Sequence, residues 1–342
     1  MSDLGGGDGT ILMAHGAGGR ATAQLVRQRF LPALDNPFLR TLSDAAVLEP
    51  LPPGRPALTT DGFVVDPLVF PGGDLGYLSV CGTVNDLAVA GAHPLWLTWA
   101  LILEEGVEHA VLQQIVDGAA RAAREAGVQL VAGDTKVVPR GKGDKVFAVT
   151  SGLGVVPPGV DMDDLHVRPG DAVVASGSLG DHGAVIMACR HQLHSDLTSC
   201  CAPVDALAQA ALRSGARVRS MHDPTRGGVA TVCHEVAVRS GCRIELDESR
   251  LPIRPQTAAV AELLGLDPLY LACEGRVLLW VDRADVDHLV AALHATPHGE
   301  DACEIGSVCA RRPDQAPLVL RTPGGGVRPL DLLSGLDLPR IC

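Results

Sequence analysis

Aromatic side chains are nearly missing from this chain: five Phe, three Trp and two Tyr, 3 % of 342 residues. Cores with so few rings must be built from Ala, Val, Leu and Ile, which suits β-branched strands covered by Ala/Leu helices in α/β layers. No stretch of about 18 uncharged apolar residues occurs, so nothing in the pattern spans a bilayer. Residues 1–10 are rich in Gly and Asp and lack the layout of a signal peptide, so the expected compartment is cytoplasmic. Positive charge is in deficit as well. With 28 basic against 40 acidic residues the net charge is −12, which argues against general nucleic-acid or anionic-membrane binding and is compatible with carboxylates that hold cations. The ten cysteines include no C-x-x-C pair and no zinc-finger spacing; in the cytoplasm they are expected to stay reduced. Cys81, Cys189, Cys233 and Cys273 lie in apolar contexts and read as small core residues, whereas Cys200-Cys201 stands near Pro203 in a loop-like stretch. Fixed-period repeats, coiled-coil heptads and a Walker A loop are all absent.

The length allows two domains, each with its own core. Strand-like runs at 57–65, 95–103, 128–132 and 146–156 alternate with helical patterns at 76–90 and 108–126. Pro157-Pro158-Gly159 and Arg168-Pro169-Gly170-Asp171 mark a boundary. Beyond it come a strand at 172–176, helices near 183–189, 204–214 and 228–239, and a strand at 276–281. The expected organisation is a flexible Gly-rich segment and lead-in helix (1–43), a first domain (44–157), a second (168–322) and a mobile tail (323–342) released by Pro323 and Gly324–Gly326.

The first half repeatedly places Asp where buried elements end or begin: Asp44, Asp61, Asp86 and Asp134. Like charges converging at one sheet edge repel unless a cation sits among them, and oxygen ligands of this type suit Mg²⁺ or Ca²⁺. The competing reading of each is a helix cap or turn residue. His15-Gly16-Ala17-Gly18-Gly19 opens onto a helical stretch, and His222-Asp223-Pro224-Thr225-Arg226-Gly227-Gly228 precedes another. Either glycine run can offer N–H groups to a phosphate, or can simply be a tight turn before a capped helix. The chain closes on Pro339-Arg340-Ile341-Cys342. A thiol on a flexible tail can be loaded in one place and presented in another, since sixteen extended residues reach on the order of 50 Å.

Taken in order, His15–Gly19, Thr60–Gly73, Cys81–Ala92, Ala132–Val138, His222–Gly228 and the Pro-Arg-Ile-Cys end resemble the HypE family of hydrogenase maturation factors, within the PurM-like, AIR synthetase-related superfamily of ATP-using enzymes. The likeness covers nearly the whole chain, and the tail ending in Cys is its discriminating feature. It implies a two-domain α/β (α+β) PurM-like fold: an N-terminal mixed sheet that pairs into a barrel in a homodimer, a C-terminal α/β sandwich, and ATP in a cleft between the domains. It also implies that Cys342 accepts a carbamoyl group from a HypF-type carbamoyltransferase. ATP would then dehydrate that group to a thiocyanate, and the cyano group would pass to iron on a HypC–HypD complex for a [NiFe]-hydrogenase. Within that scheme Cys342, Lys136 and Glu274 are the catalytic candidates. Lys136 serves the γ-phosphate or developing oxyanion and Glu274 acts as base; the plain alternatives are a surface Lys paired with a carboxylate and a Glu facing water. Candidate ATP and phosphate residues are His15, Gly18, Gly19, Thr135, Lys136, Asp223, Gly227 and Gly228. Asp44, Asp61, Asp86 and Asp134 are the candidate Mg²⁺ ligands. The rivals are another PurM-like ATP-dependent synthetase or kinase, and a non-catalytic nucleotide-binding thiol carrier.

Overall fold

The computed structural model describes residues 9–333 and 340–342. Residues 1–8, and the 334–339 stretch of the expected tail, lie outside the described residues.

The first unit is one four-stranded sheet with helices on a single face. Its strands are β1 (Arg55–Phe63), β4 (His93–Glu104), β5 (Gln129–Val138) and β6 (Val146–Val156), in the order β1-β6-β4-β5. A small hairpin, β2 (Val69–Phe70) with β3 (Gly73–Asp74), leads into α3 (Leu75–Val89). Helix α3 follows the two short N-terminal helices α1 (Arg20–Leu25) and α2 (Leu31–Leu34). The parallel pair β4/β5 is joined by α4 (His109–Glu125), a right-sized crossover for parallel strands. Asp74 caps α3 by accepting from Tyr77 N at 2.9 Å. Nearly every residue of α3 is buried, because it is wedged between the sheet, α4 and the second unit. Gly76 is required there: a Cβ on it would stand 1.7 Å from the Ile115 carbonyl oxygen of α4. Among the described residues no helix covers the other face of the sheet, and Leu58 on β1 is 77 % exposed.

The second unit is a seven-stranded sheet in the order β13-β12-β9-β11-β7-β10-β8. Its strands are β7 (Asp171–Ala175), β8 (Val218–His222), β9 (Cys242–Asp247), β10 (Leu278–Asp282), β11 (Cys303–Ala310), β12 (Leu318–Arg321) and β13 (Val327–Pro329). All pairings are antiparallel except β12 with β9. Period-2 alternation divides β7 between two cores. Val173 and Ala175 pack toward α7 (Gly228–Ser240), while Ala172 and Val174 pack toward α6 (Asp205–Arg213) and α9 (Val286–His294). Helices α5 (Asp181–Arg190) and α8 (Pro255–Leu264) join the core of the first unit instead, so one apolar cluster runs across the boundary.

The strands and helices expected at 57–65, 76–90, 95–103, 108–126, 146–156 and 228–239 are present with ends shifted by a few residues. Three differences stand out. Strand β5 continues to Val138, so Asp134 and Lys136 lie within it. Helices α8 and α9 and strands β8, β9 and β11–β13 are additional to the expected elements, although Cys242–Asp247 alternates apolar and polar residues as a half-buried strand does. Gly324–Gly326 forms the turn of the β12/β13 hairpin, with Thr322 N donating to Gly326 O at 2.9 Å. All ten cysteines are free, and Cys200 and Cys201 are buried despite their loop backbone. Among the described residues, no helix is long and apolar enough to cross a membrane.

Candidate functional site

Strand β1 and helix α3 build the first half of the site by crossed hydrogen bonds. Thr59 Oγ1 donates to Asp86 Oδ2 at 2.8 Å, and Thr83 Oγ1 donates to Asp61 Oδ2 at 2.9 Å. The i, i+2 spacing of Thr59 and Asp61 and the i, i+3 spacing of Thr83 and Asp86 put all four side chains in one seam. The second unit closes over this seam with the turn after β8, which carries Asp223 and Arg226, and with the segment before β10, which carries Glu274.

Electrostatics mark these groups as one cluster. Burial, and then the neighbouring charge of Asp61, raise Asp86, while Thr59 and Arg226 pull it down. Asp223 is pushed up to about 7 by burial and by Asp86. Glu274 is pushed up to about 8 by burial and by Asp223, and the Cys342 thiol and Arg226 partly offset this. Glu274 is 1 % exposed, and its Oε1 has no hydrogen-bond partner among the described residues. A buried carboxylate oxygen without a partner costs about 1–3 kcal/mol or more, so this one is poised for a donor on a ligand.

Cys342 occupies the same place. Its thiol donates to the Glu274 carboxylate, and burial, followed by Glu274, pushes its pKa up. The last three residues run beside residues 64–66: Val64 N donates to Cys342 O and Asp66 N to Arg340 O, both at 3.3 Å. Ile341 is buried in the core of the first unit.

One residue without an assigned role holds the halves together. Asn85, fully buried on α3, donates through Nδ2 to the carbonyls of Ala202 and Glu274 at 3.2 Å each, and accepts from Val204 N at 2.8 Å. It therefore sets the backbone that aims Glu274. The signal was visible as the amide of Asn85-Asp86 amid an apolar helix.

The four aspartates expected to share metal do not converge within one chain. Asp61 is on β1 and Asp134 on β5, the two edges of the sheet, three strand spacings or roughly 14 Å apart. They also point oppositely: Asp61 faces α3, whereas Asp134 is on the open face. No group of three or more metal-capable side chains is found among the described residues. Asp134 pairs instead with Lys136 at 2.7 Å on the surface, which pulls its pKa down. Asp44, Asp134 and Thr135 line a separate cavity of about 280 Å³ with the N-terminal helices.

The glycine runs are also already occupied in part. Gly18 N donates to Thr22 Oγ1 at 3.0 Å, and His15 Nδ1 accepts from Leu12 N at 2.9 Å, both beside β5. Gly19 caps only the six-residue α1. Gly227 and Gly228 have positive φ (75° and 60°), and a Cβ on Gly228 would meet the Leu269 carbonyl at 2.5 Å. These two glycines are needed to seat α7 and aim Asp223 and Arg226.

Residues 42–156 match the family of AIR synthase related protein, N-terminal domain, and residues 168–316 match its C-terminal domain. Over 340 residues the chain is 47 % identical to carbamoyl dehydratase HypE of Rhodobacter capsulatus, covering 98 % of this chain and 99 % of that one. A solved hydrogenase maturation protein HypE in complex with ATP shares 42 % identity and a TM-score of 0.93, over 97 % of this chain and 100 % of that one. A chain of the solved HypE–HypF complex shares 41 % identity and a TM-score of 0.78, over 90 % and 99 %.

Proposed function

The chain belongs to the carbamoyl dehydratase HypE family of AIR synthase related proteins, and from that membership we propose that it matures hydrogenase by ATP-dependent dehydration of a carbamoyl group carried on Cys342. The observation that carries this reading is the Cys342 thiol seated against Glu274 in the cleft between the two units.

An amide oxygen is a poor leaving group. Transfer of the γ-phosphoryl of ATP to the carbamoyl oxygen makes it a phosphate ester of an imidate. The C–O bond then breaks, phosphate leaves with that oxygen, and the nitrogen gives up two protons to leave S–C≡N. One of those protons accompanies phosphate and the other reaches solvent. Glu274 is placed for the proton steps: one oxygen faces the sulfur and Oε1 awaits a donor such as the carbamoyl N–H. Arg226 faces the same cluster and balances charge that develops on oxygen. Asp61 and Asp86, a pair of carboxyl groups next to Asp223, are the residues that fit Mg²⁺. Bound there, Mg²⁺ supplies charge neutralisation for nucleotide phosphates.

Lys136 and Asp134 belong to this site through a homodimer. Leu58 and Val149 are exposed on the open face of the sheet, an apolar surface that a second copy would cover. Two such sheets facing each other as a barrel bring the β5 edge of one copy toward the β1 edge of the other, and with it Lys136 toward the cleft. A HypF-type carbamoyltransferase is the carbamoyl donor, in keeping with the HypE–HypF complex, and a HypC–HypD complex is the acceptor of the cyano group.

The test is the intact mass of the Cys342 peptide after incubating carbamoylated protein with Mg·ATP. Loss of one water with formation of ADP and phosphate is expected. A Cys342→Ala protein that still turns over, or a carbamoyl adduct unchanged by ATP, would exclude the mechanism and leave a carrier.

A further inference from the structure

His182 is a fully buried titratable group on α5 that none of the steps above uses. Its two ring nitrogens are both engaged. Nε2 lies 2.9 Å from the Ile341 carbonyl oxygen, and Nδ1 lies 2.8 Å from Ser199 Oγ. A carbonyl only accepts, so Nε2 carries the proton and donates; Nδ1 therefore accepts from the Ser199 hydroxyl, which itself accepts from Cys201 N at 3.0 Å. The Phe70 ring stands edge-on to the imidazole at 5.3 Å and fixes its plane. Two turns further along α5, Arg190 donates to the Arg340 carbonyl and, through Nε, to the Asp66 carbonyl at 2.7 Å. The last three residues are thus gripped mainly through their backbone.

We propose that His182, supported by Arg190, is the latch that seats the tail: a positioning residue that holds Cys342 against Glu274 by binding the peptide carbonyls of Ile341 and Arg340. The inference rests on the reading of Cys342 as the reacting group and adds the device that governs how long it stays in the cleft. Every loading and delivery step requires this latch to open.

Opening it changes the surroundings of His182. While the tail is seated, burial holds the His182 pKa down to about 4, and the Ile341 carbonyl is the only other cause. The charged groups nearest it are held by others. Asp181, on the same helix, accepts from Ser178 and Thr257 and pairs with Arg254. Arg340 on the tail pairs with Asp144, and the Cys200 thiol accepts from the His182 backbone. Once the tail leaves, water reaches the ring and its pKa returns toward the ordinary 6.5. The seated state therefore excludes a proton. His182 contributes fully to seating above about 6.5 and loses that contribution as pH falls toward about 4. At pH 5 the loss is about 30-fold in the seating equilibrium. Glu274 and Asp223 act in the opposite sense, because covering them raises their pKa.

The test needs no turnover. Unmodified full-length protein without ATP is treated with iodoacetamide, and alkylation of Cys342 is followed by mass of the C-terminal peptide. At pH 7.5, His182→Ala should label at least tenfold faster than the wild type, and the difference should vanish by pH 5. Glu274, Asp223 and thiolate chemistry are common to both proteins and cancel in the ratio. Arg190→Ala, a less buried site, should also label faster but without the acid convergence, which keeps the idea testable if His182→Ala folds poorly. Equal labelling of the wild type and both variants at pH 7.5 would overturn the latch. So would a His182→Ala ratio that does not change with pH. If labelling behaves as expected while carbamoylated protein shows no water loss, the dehydration mechanism fails and the latch stands.

Discussion

Asn85→Asp is the most informative single change, because it keeps the shape of the side chain and reverses one half of its hydrogen bonding. The Val204 N–H keeps its acceptor, but the carbonyls of Ala202 and Glu274 lose the amide that served both at 3.2 Å. Each unsatisfied buried carbonyl costs about 1–3 kcal/mol. The Glu274 carbonyl retains a bond from Ala202 N at 3.3 Å, so one carbonyl is left without a donor and the expected total is about 1–3 kcal/mol. A new carboxylate is also set beside Asp86. The cost falls on the contact between the two units and on the backbone that aims Glu274. Urea denaturation followed by intrinsic fluorescence should show a clearly lowered midpoint, and ATP-dependent loss of water from carbamoylated Cys342 should fall by about 100-fold, the usual penalty for a displacement of about 1 Å. A variant as stable as the wild type, with the same rate, would refute the assignment of Asn85 as the pin of the cleft.

The remaining predictions are simpler. Glu274→Gln should abolish dehydration and change the pH dependence of stability. The raised carboxyl of Glu274 contributes stability below its unfolded value of 4.5 that is lost as pH rises through about 8, so the Gln protein should show a flatter decline over that window in thermal melts. Leu58→Arg, on a side chain 77 % exposed in one chain, should yield monomers by sedimentation with little loss of monomer stability; an unchanged dimer would rule out the open sheet face as the interface. Lys136→Met should stop turnover while leaving the melting temperature within a degree or two, because exposed ion pairs such as Lys136–Asp134 contribute at most about 1 kcal/mol. Unchanged rates in Asp134→Asn would remove that residue from the metal and nucleotide machinery.

Much of the site was legible in linear form. Asp61, Asp86, Asp223, Glu274 and Cys342 each stand out as polar groups in apolar or glycine-rich settings; Asp223, Arg226 and Glu274 surround the Cys342 sulfur, and Asp86 and Asp61 adjoin them. Other parts were not legible. Gly324–Gly326 has the composition of a release point, yet hydrogen bonding within β12/β13 makes it a hairpin turn. His182 and Ser199 sit in segments with no motif, and only the fold brings Ser199 to one ring nitrogen of His182 and the Ile341 carbonyl to the other.

The residues alone determined the layered α/β character, the inventory of carboxylates, the terminal thiol and the family, since these follow from local periodicity, residue chemistry and ordered motifs. Only the tertiary structure decided which carboxylates share a field. Strand order places Asp61 and Asp134 on opposite edges and the register on opposite faces of one sheet, and both are set by long-range pairing that no local pattern encodes.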